Sequence, residues 1–322
     1  MIDFDGPRAG VDYPETWQEF VGWFHEDDAC REWLAGLRWP DGFICPACGG
    51  RQAWRMARRG MWMCGECHRQ TSVTAGTVLH RSHTPLTTWF AAMWMVCATK
   101  NGISAAALGD VLGFGSEETA WAWLHKLRRV MVRPDRDQLS GIVEVDETQI
   151  RMVSGRPGSR GARLVPVMIA VETPAAGVVG RVRMAPADQV NSYELFDFTV
   201  GAVAPGSTVR SDGVVTLKRL TEHGYRHDPR VMADPARDAA EHLPAVHLVA
   251  SLLKRWLAGT FHYGVARRHL AYYLDEYTFR FNRRTSKSRG LLFYRLAQQA
   301  MATDPKPLTS IIGGTMASDQ HT

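Results

Sequence analysis

Apolar positions recur at helical spacing through the first third of the chain and change to short continuous apolar runs from residue 142, which predicts helices first and a β-rich unit after them. Thr16 and Glu19 form a capping-box pattern ahead of Trp17, Phe20, Val21 and Phe24, and Cys30, Trp33, Leu34 and Leu37 make a second helical stripe. After Thr84-Pro85 the run 87–99 is apolar on nearly every face, so a buried helix is expected there, broken by Asn101-Gly102. A helix over 104–112, a Gly113-Phe114-Gly115 turn and a third helix capped by Ser116 give a helix-turn-helix outline. In that third helix Trp121, Leu124, Leu127 and Met131 form the inward stripe. Lys126, Arg129 and Arg133 recur on another face as a ridge suited to phosphates, although three-helix bundles also occur away from DNA.

From residue 142 the runs 142–147, 164–171 and 178–183 read as consecutive antiparallel strands, the first two joined by a glycine-rich loop at 155–161. A helix over 189–200, a short strand at 208–211 and helices to about residue 300 complete an α/β unit. Pro134-Asp135-Arg136-Asp137 looks like a linker, and no internal repeat is present. The expected organisation is a mixed α+β or α/β multidomain chain. Residues 1–83 hold N-terminal helices and a metal ribbon, 84–136 a helix-turn-helix-like domain, 137–302 the α/β domain and 303–322 a mobile tail.

Length and composition narrow the class. At 322 residues the chain has room for about two or three folding units. Its 45% hydrophobic and 22% charged residues exclude a mainly disordered, collagen-like or coiled-coil protein. No apolar run reaches membrane-helix length and the acidic start MIDFDGPRAG has no signal-peptide character, so a cytoplasmic protein without a membrane partner is expected. The net charge of +5 is unevenly spread. Residues 1–50 carry ten acids and three arginines, 51–100 seven basic residues and one acid, and 251–300 ten basic residues and two acids. Two basic stretches therefore suit a polyanion such as nucleic acid, and a solvated face would read the same way.

Four of the six cysteines fall as Cys45-Pro-Ala-Cys48 and Cys64-Gly-Glu-Cys67, with fifteen residues between the pairs. That is zinc-ribbon spacing: two CxxC turns facing each other supply four thiolates and leave no open position, so the zinc is expected to be structural. A disulfide reading lacks a signal peptide, and a redox motif would need one CxxC opening a helix. His68, His80 and His83 are spare in this count, and Cys30 and Cys97 read as core.

The second half carries the candidate chemistry. Asp146 lies inside an apolar strand, where an unpaired carboxylate is costly, and Asp212 ends the short strand 208–211. Acids at the ends of buried strands suit a divalent-metal site, although an Asp in that position also caps turns. Pro244 opens a helix whose packed side is expected to be Ala245, Val249, Leu252 and Trp256. His247, Ser251 and Lys254 share another face of it, which places a metal-binding group and a phosphate-binding lysine two turns apart or describes an ordinary amphipathic helix with a surface histidine. Glu144 shares the strand face of Asp146 and is the first substitute for it, while Glu147 faces away.

Taken together, these residues resemble bacterial insertion-sequence transposases that pair an N-terminal zinc ribbon with an RNase-H-like catalytic domain of the DDE type. The resemblance spans roughly residues 15–300. It rests on Arg38-Trp39-Pro40-Asp41-Gly42 leading into the first cysteine pair, on 71–77 after the second, on Val145-Asp146-Glu147-Thr148 and Ser211-Asp212-Gly213, on 253–256, and on 273–277 followed by 279–284. The resemblance implies that Asp146 and Asp212 are the first two catalytic acids and that Lys254 is the basic residue two turns after the third. That third position, commonly Glu, is His247 here, giving an Asp-Asp-His set in which two carboxylates instead of three offset two cations. Weaker Mg2+ binding and relatively better Mn2+ support are expected.

The implied activity is binding of terminal inverted repeats, hydrolysis of a phosphodiester to free a 3′-OH, and joining of that OH to target DNA. Asp146 then bridges two Mg2+ or Mn2+ ions, Asp212 and His247 complete their shells, and Lys254 holds a phosphate. Arg280, Arg283, Arg284, Lys287 and Arg289 are expected on the DNA backbone, and Asp275 and Glu276 in pairs with neighbouring arginines. Double-stranded DNA is the expected partner, and chemistry on paired ends implies a homo-oligomer. A DNA-binding regulator or decayed transposase would use the ribbon and basic patches but leave the acids idle. An RNase-H-like nuclease would cleave without joining.

Overall fold

The computed structural model describes residues 6–56, 60–133, 136–153, 162–189, 191–213, 215–230, 242–261 and 264–313. They fall in two compact units, Met1–Met131 with Ser286–Ile312, and Val132–Thr285 with Gly313–Thr322.

The first unit opens with α1 (Trp17–Trp23) and α2 (Asp27–Arg38). The Thr16 hydroxyl accepts from Glu19 N at 3.2 Å, the cap read from sequence. Strands β1 (Ala53–Met56), β2 (Met61–Cys64) and β3 (Gln70–Ser72) form an antiparallel sheet in that order. Helices α3 (Leu86–Ala98), α4 (Ala105–Leu112) and α5 (Glu117–Val130) follow. Ser104 and Ser116 cap α4 and α5, and Gly113, at φ +69°, ends α4 in the left-handed conformation that a side chain resists. Helix α9 (Arg289–Ala302) completes the unit: its Phe293 ring packs among Phe20, Phe24, Trp33, Phe90 and Trp94. Gly290 permits this approach, because a Cβ there would stand 1.8 Å from the Pro14 carbonyl oxygen. The units thus divide the chain differently from the sequence boundaries. The expected domains 1–83 and 84–136 pack as one apart from the last residues, and α9, expected in the α/β domain, joins them through its aromatic ring. Within the expected tail, Leu308–Gly313 forms α10, and 314–322 lie outside the described residues.

The second unit is built on strands β4 (Ile142–Val153), β5 (Ala162–Glu172), β6 (Val182–Pro186), β7 (Thr208–Ser211) and β8 (Arg226–Pro229). Their order is β6-β5-β4-β7-β8. The first three form an antiparallel meander, and β7 and β8 return parallel to β4. Val143 and Val145 face α6 (Ser192–Ala202) through Leu195 and Phe196. Ile150 and Met152, on the alternate face, pack with α7 (Pro244–Phe261) and α8 (Leu270–Asn282) through Val246, Val249, Leu253, Tyr273 and Tyr277. The packed stripe of α7 is therefore rotated from the expected one, with Leu252 and Trp256 only partly buried. The strand expected at 178–183 begins at Val182; just before it Glu172 O accepts from Gly180 N at 2.7 Å and Glu172 N donates to Arg181 O at 2.9 Å, so two residues face one and the ladder is interrupted. Asn282 seals the far edge of β6 by accepting from Val182 N at 2.7 Å and donating to Val182 O at 3.0 Å. The glycine-rich loop expected at 155–161 lies outside the described residues.

Candidate metal centres and DNA-facing residues

The cysteine turns have one geometry used twice. Gly49 N bonds to Cys45 O at 2.9 Å, and His68 N bonds to Cys64 O at 3.1 Å. Both residues close their turns at positive φ, Gly49 at 76° and His68 at 56°. His68 is therefore a turn residue. The turns bring Cys45 Sγ within 3.6 Å of Cys67 Sγ and Cys48 Sγ within 3.6 Å of Cys64 Sγ, with all four sulfurs inside 4.8 Å of one another. A tetrahedral zinc with bonds of about 2.3 Å sets its sulfurs about 3.8 Å apart, so the quartet fits a structural zinc without rearrangement. The backbone N–H groups of Ala47 and Cys48 lower the Cys45 pKa, which favours the thiolate that a metal requires.

The acidic site is assembled by the sheet. Parallel pairing sets Glu144 of β4 against Arg210 of β7, and Asp212, just past the end of β7, lies near enough for its charge to act on Asp146. Helix α7 lies over β4 and puts His247 Nε2 3.9 Å from Asp146 Oδ2, side by side as two ligands of one cation would stand. Burial, and then the charge of Asp212, push the Asp146 carboxyl up to about 6, against the one hydrogen bond it accepts from Glu147 N at 2.8 Å. A carboxylate destabilised in this way suits a cation that restores its charge. Asp212 is exposed, and its turn is held by the Ser211 hydroxyl, which meets His227 Nε2 at 2.9 Å and accepts from Gly213 N at 3.4 Å. Among the described residues only the cysteines close into a cluster of three or more ligands, so Asp146 and His247 are adjacent while Asp212 stands further off. Lys254 is half-buried on α7, two turns beyond His247.

One acid behaves differently from its sequence reading. Glu144 is not a spare catalytic acid. It is 2% exposed, and its Oε2 accepts from Ala245 N at 2.8 Å and Val246 N at 3.1 Å. Glu147, on the opposite face by alternation, is half-buried, and its pKa is raised by burial and by the charges of Asp146 and Asp212. Nothing in the sequence links strand residue 144 to a helix a hundred residues later, nor Ser211 to His227.

The basic residues separate into engaged and exposed ones. Lys126 is half-buried with its ammonium 5.8 Å from the Trp89 ring centroid, and burial lowers its pKa. Arg129 donates to Asp304 O at 2.8 Å, while Arg133 is exposed. Arg280 is bound to Glu276 Oε1 at 2.6 and 2.8 Å, the pairing expected for that acid. Arg283 lies 4.3 Å over the Phe279 ring, and Arg284 donates to the carbonyls of Val179, Gly180 and Phe281. Lys287 is exposed and Arg289 half-buried. Asp275 is buried, which lifts its carboxyl to about 7 against the pull of Arg136.

Comparison with known proteins matches two segments of the chain. Residues 138–282, which hold the whole sheet, match the family model of the ISXO2-like transposase domain, and residues 25–70, which hold the four cysteines, match the transposase zinc-ribbon domain. An uncharacterized protein in transposable element ISH50 of Halobacterium salinarum is 24% identical over 271 residues, covering 77% of this chain and 88% of its own length. No helix among the described residues is long and apolar enough to cross a membrane. With a cysteine quartet built for zinc in one matched segment and a DDE-type sheet in the other, the chain belongs to the insertion-sequence transposases that carry a zinc ribbon ahead of an ISXO2-like transposase domain.

Proposed function

We propose that the protein is a DNA transposase that binds the terminal inverted repeats of its element, hydrolyses a phosphodiester at each end and joins the freed 3′-OH to target DNA, working in the cytoplasm as a homo-oligomer on paired ends. The observation that carries this is the convergence of Asp146, Asp212 and His247 from three elements. Asp146, adjacent to His247 and within reach of the charge of Asp212, would be the shared ligand. Divalent cations held there, Mg2+ or Mn2+, would activate the attacking oxygen and offset charge on the leaving one. Lys254 grips a DNA phosphate as a point charge further along α7. Asp146, at about 6, accepts a cation more readily as pH rises through that value. Lys126, Arg129, Arg133, Arg280, Arg283, Arg284 and Lys287 are assigned to DNA, with the exposed Arg133 and Lys287 as the first contacts and the others supporting the surface they border.

Full-length, zinc-loaded protein incubated with element-end DNA in Mg2+ or Mn2+ tests the reading. Joined strands from wild type and none from Asp146→Ala are expected. Cleavage without joining would make it a nuclease, and binding without cleavage a regulator or a decayed transposase.

A further inference from the structure

Among the described residues, the chain leading into helix α7 supplies no side-chain cap for it. The residue before Pro244 is Leu243, whose side chain has no acceptor, and proline has no N–H. The next two amides, of Ala245 and Val246, donate to one oxygen of Glu144, a buried carboxylate from β4. Only His247 N, bonded to Leu243 O at 3.2 Å, enters the usual helical pattern. The cap is thus supplied by the strand that bears Asp146, and a carboxylate there also complements the positive end of the helix dipole. The spacing matters: Glu144 is two residues before Asp146, and the amides it holds immediately precede His247. Helix α7 cannot turn or slide over β4 without breaking both bonds, so this clamp fixes the 3.9 Å separation of His247 Nε2 from Asp146 Oδ2.

We propose that Glu144 is a positioning residue that locks the histidine-bearing helix to the aspartate-bearing strand, and so sets the geometry with which this chain holds a divalent cation. The proposal rests on the reading of Asp146 and His247 as cation ligands. Removing it acts on affinity as loss of a residue behind a metal ligand does, by roughly tenfold or more. A cap that merely stabilised the helix would lower thermal stability and leave the cation affinity of the folded protein unchanged.

Mn2+ titration of the full-length, zinc-loaded protein, followed by electron paramagnetic resonance, separates these. Glu144→Ala is expected to weaken Mn2+ binding about tenfold and Glu144→Gln, which keeps an acceptor oxygen, by no more than about threefold. In a His247→Ala background, Glu144→Ala is expected to add nothing further. Wild-type Mn2+ affinity in folded Glu144→Ala, or losses that add in the double variant, would overturn the proposal. If Glu144→Ala does not fold, Glu144→Asp, one methylene shorter, makes the same comparison. If wild type and Asp146→Ala bind Mn2+ alike, the catalytic reading is what fails. The clamp is then judged by amide exchange at 245–247, which must rise in Glu144→Ala and not in Glu144→Gln, and unchanged exchange would overturn it.

Discussion

The cysteine quartet and the acidic site proposed to bind a divalent cation are assembled in opposite ways. Each cysteine pair comes from a single tight turn, and the two turns face each other so that Cys45 and Cys48 each stand 3.6 Å, sulfur to sulfur, from a cysteine of the opposite turn. The acidic site takes one residue each from β4, the end of β7 and α7, and depends on a parallel register and on the clamp by Glu144. Its scaffold is packed from both faces of the sheet, whereas the ribbon is three short strands with few buried side chains. A metal would therefore hold the ribbon together, whereas the sheet would hold a metal. The first centre trades on stability and the second spends it, since Asp146 is buried at a cost to its charge.

The largest effect that sharpens this contrast is removal of zinc. Chelation, or Cys64→Ser, should unfold the ribbon, because structural zinc contributes on the order of 10 kcal/mol to such modules. Hydrogen exchange should show protection lost across residues 45–72 and kept in β4–β6. Loss in both regions would break the comparison.

Next in size is His247→Glu, which adds a third carboxylate to the site. Metal titration of DNA cleavage should show the Mg2+ requirement falling relative to that for Mn2+ by about tenfold. An unchanged ratio would mean that His247 does not set the metal preference.

The smallest effect concerns a buried acid that serves no metal. Asp275, lifted to about 7, stays protonated in the folded chain while the unfolded chain ionises near pH 4, so its contribution to stability is lost as pH rises between those values. Asp275→Asn should gain about 1–2 kcal/mol near pH 8 and nothing near pH 4. Thermal melts at the two pH values check this, and a pH-independent change would contradict it.

The same division explains what the sequence disclosed. CxxC spacing encodes a tight turn directly, so the zinc ribbon was legible without any tertiary information. Helices α1, α4 and α5 were legible because Thr16, Ser104 and Ser116 do the capping that their positions announce. Asp146 and Asp212 could be picked out as acids in apolar strands, and the family resemblance supplied His247. What escaped was everything made by distant pairing. Glu144 looked like a spare acid because alternation gives the face of a strand residue and says nothing of the helix end that meets it. Strand β8 is short and polar, and α9 was assigned to the wrong unit because its partners for Phe293 lie more than two hundred residues earlier. Arg284 reads as a contact to the DNA backbone, yet its guanidinium donates to the carbonyls of Val179, Gly180 and Phe281.

The central claim is that Asp146 gives up stability in order to bind a divalent cation. Thermal melts of full-length wild type and Asp146→Asn, with and without Mn2+, test it most directly. Without Mn2+ the variant should melt at or above the wild-type temperature, and Mn2+ should raise the melting temperature of wild type alone, with DNA cleavage lost in the variant. A variant that melts lower without metal, or an equal Mn2+ shift in both proteins, would contradict it.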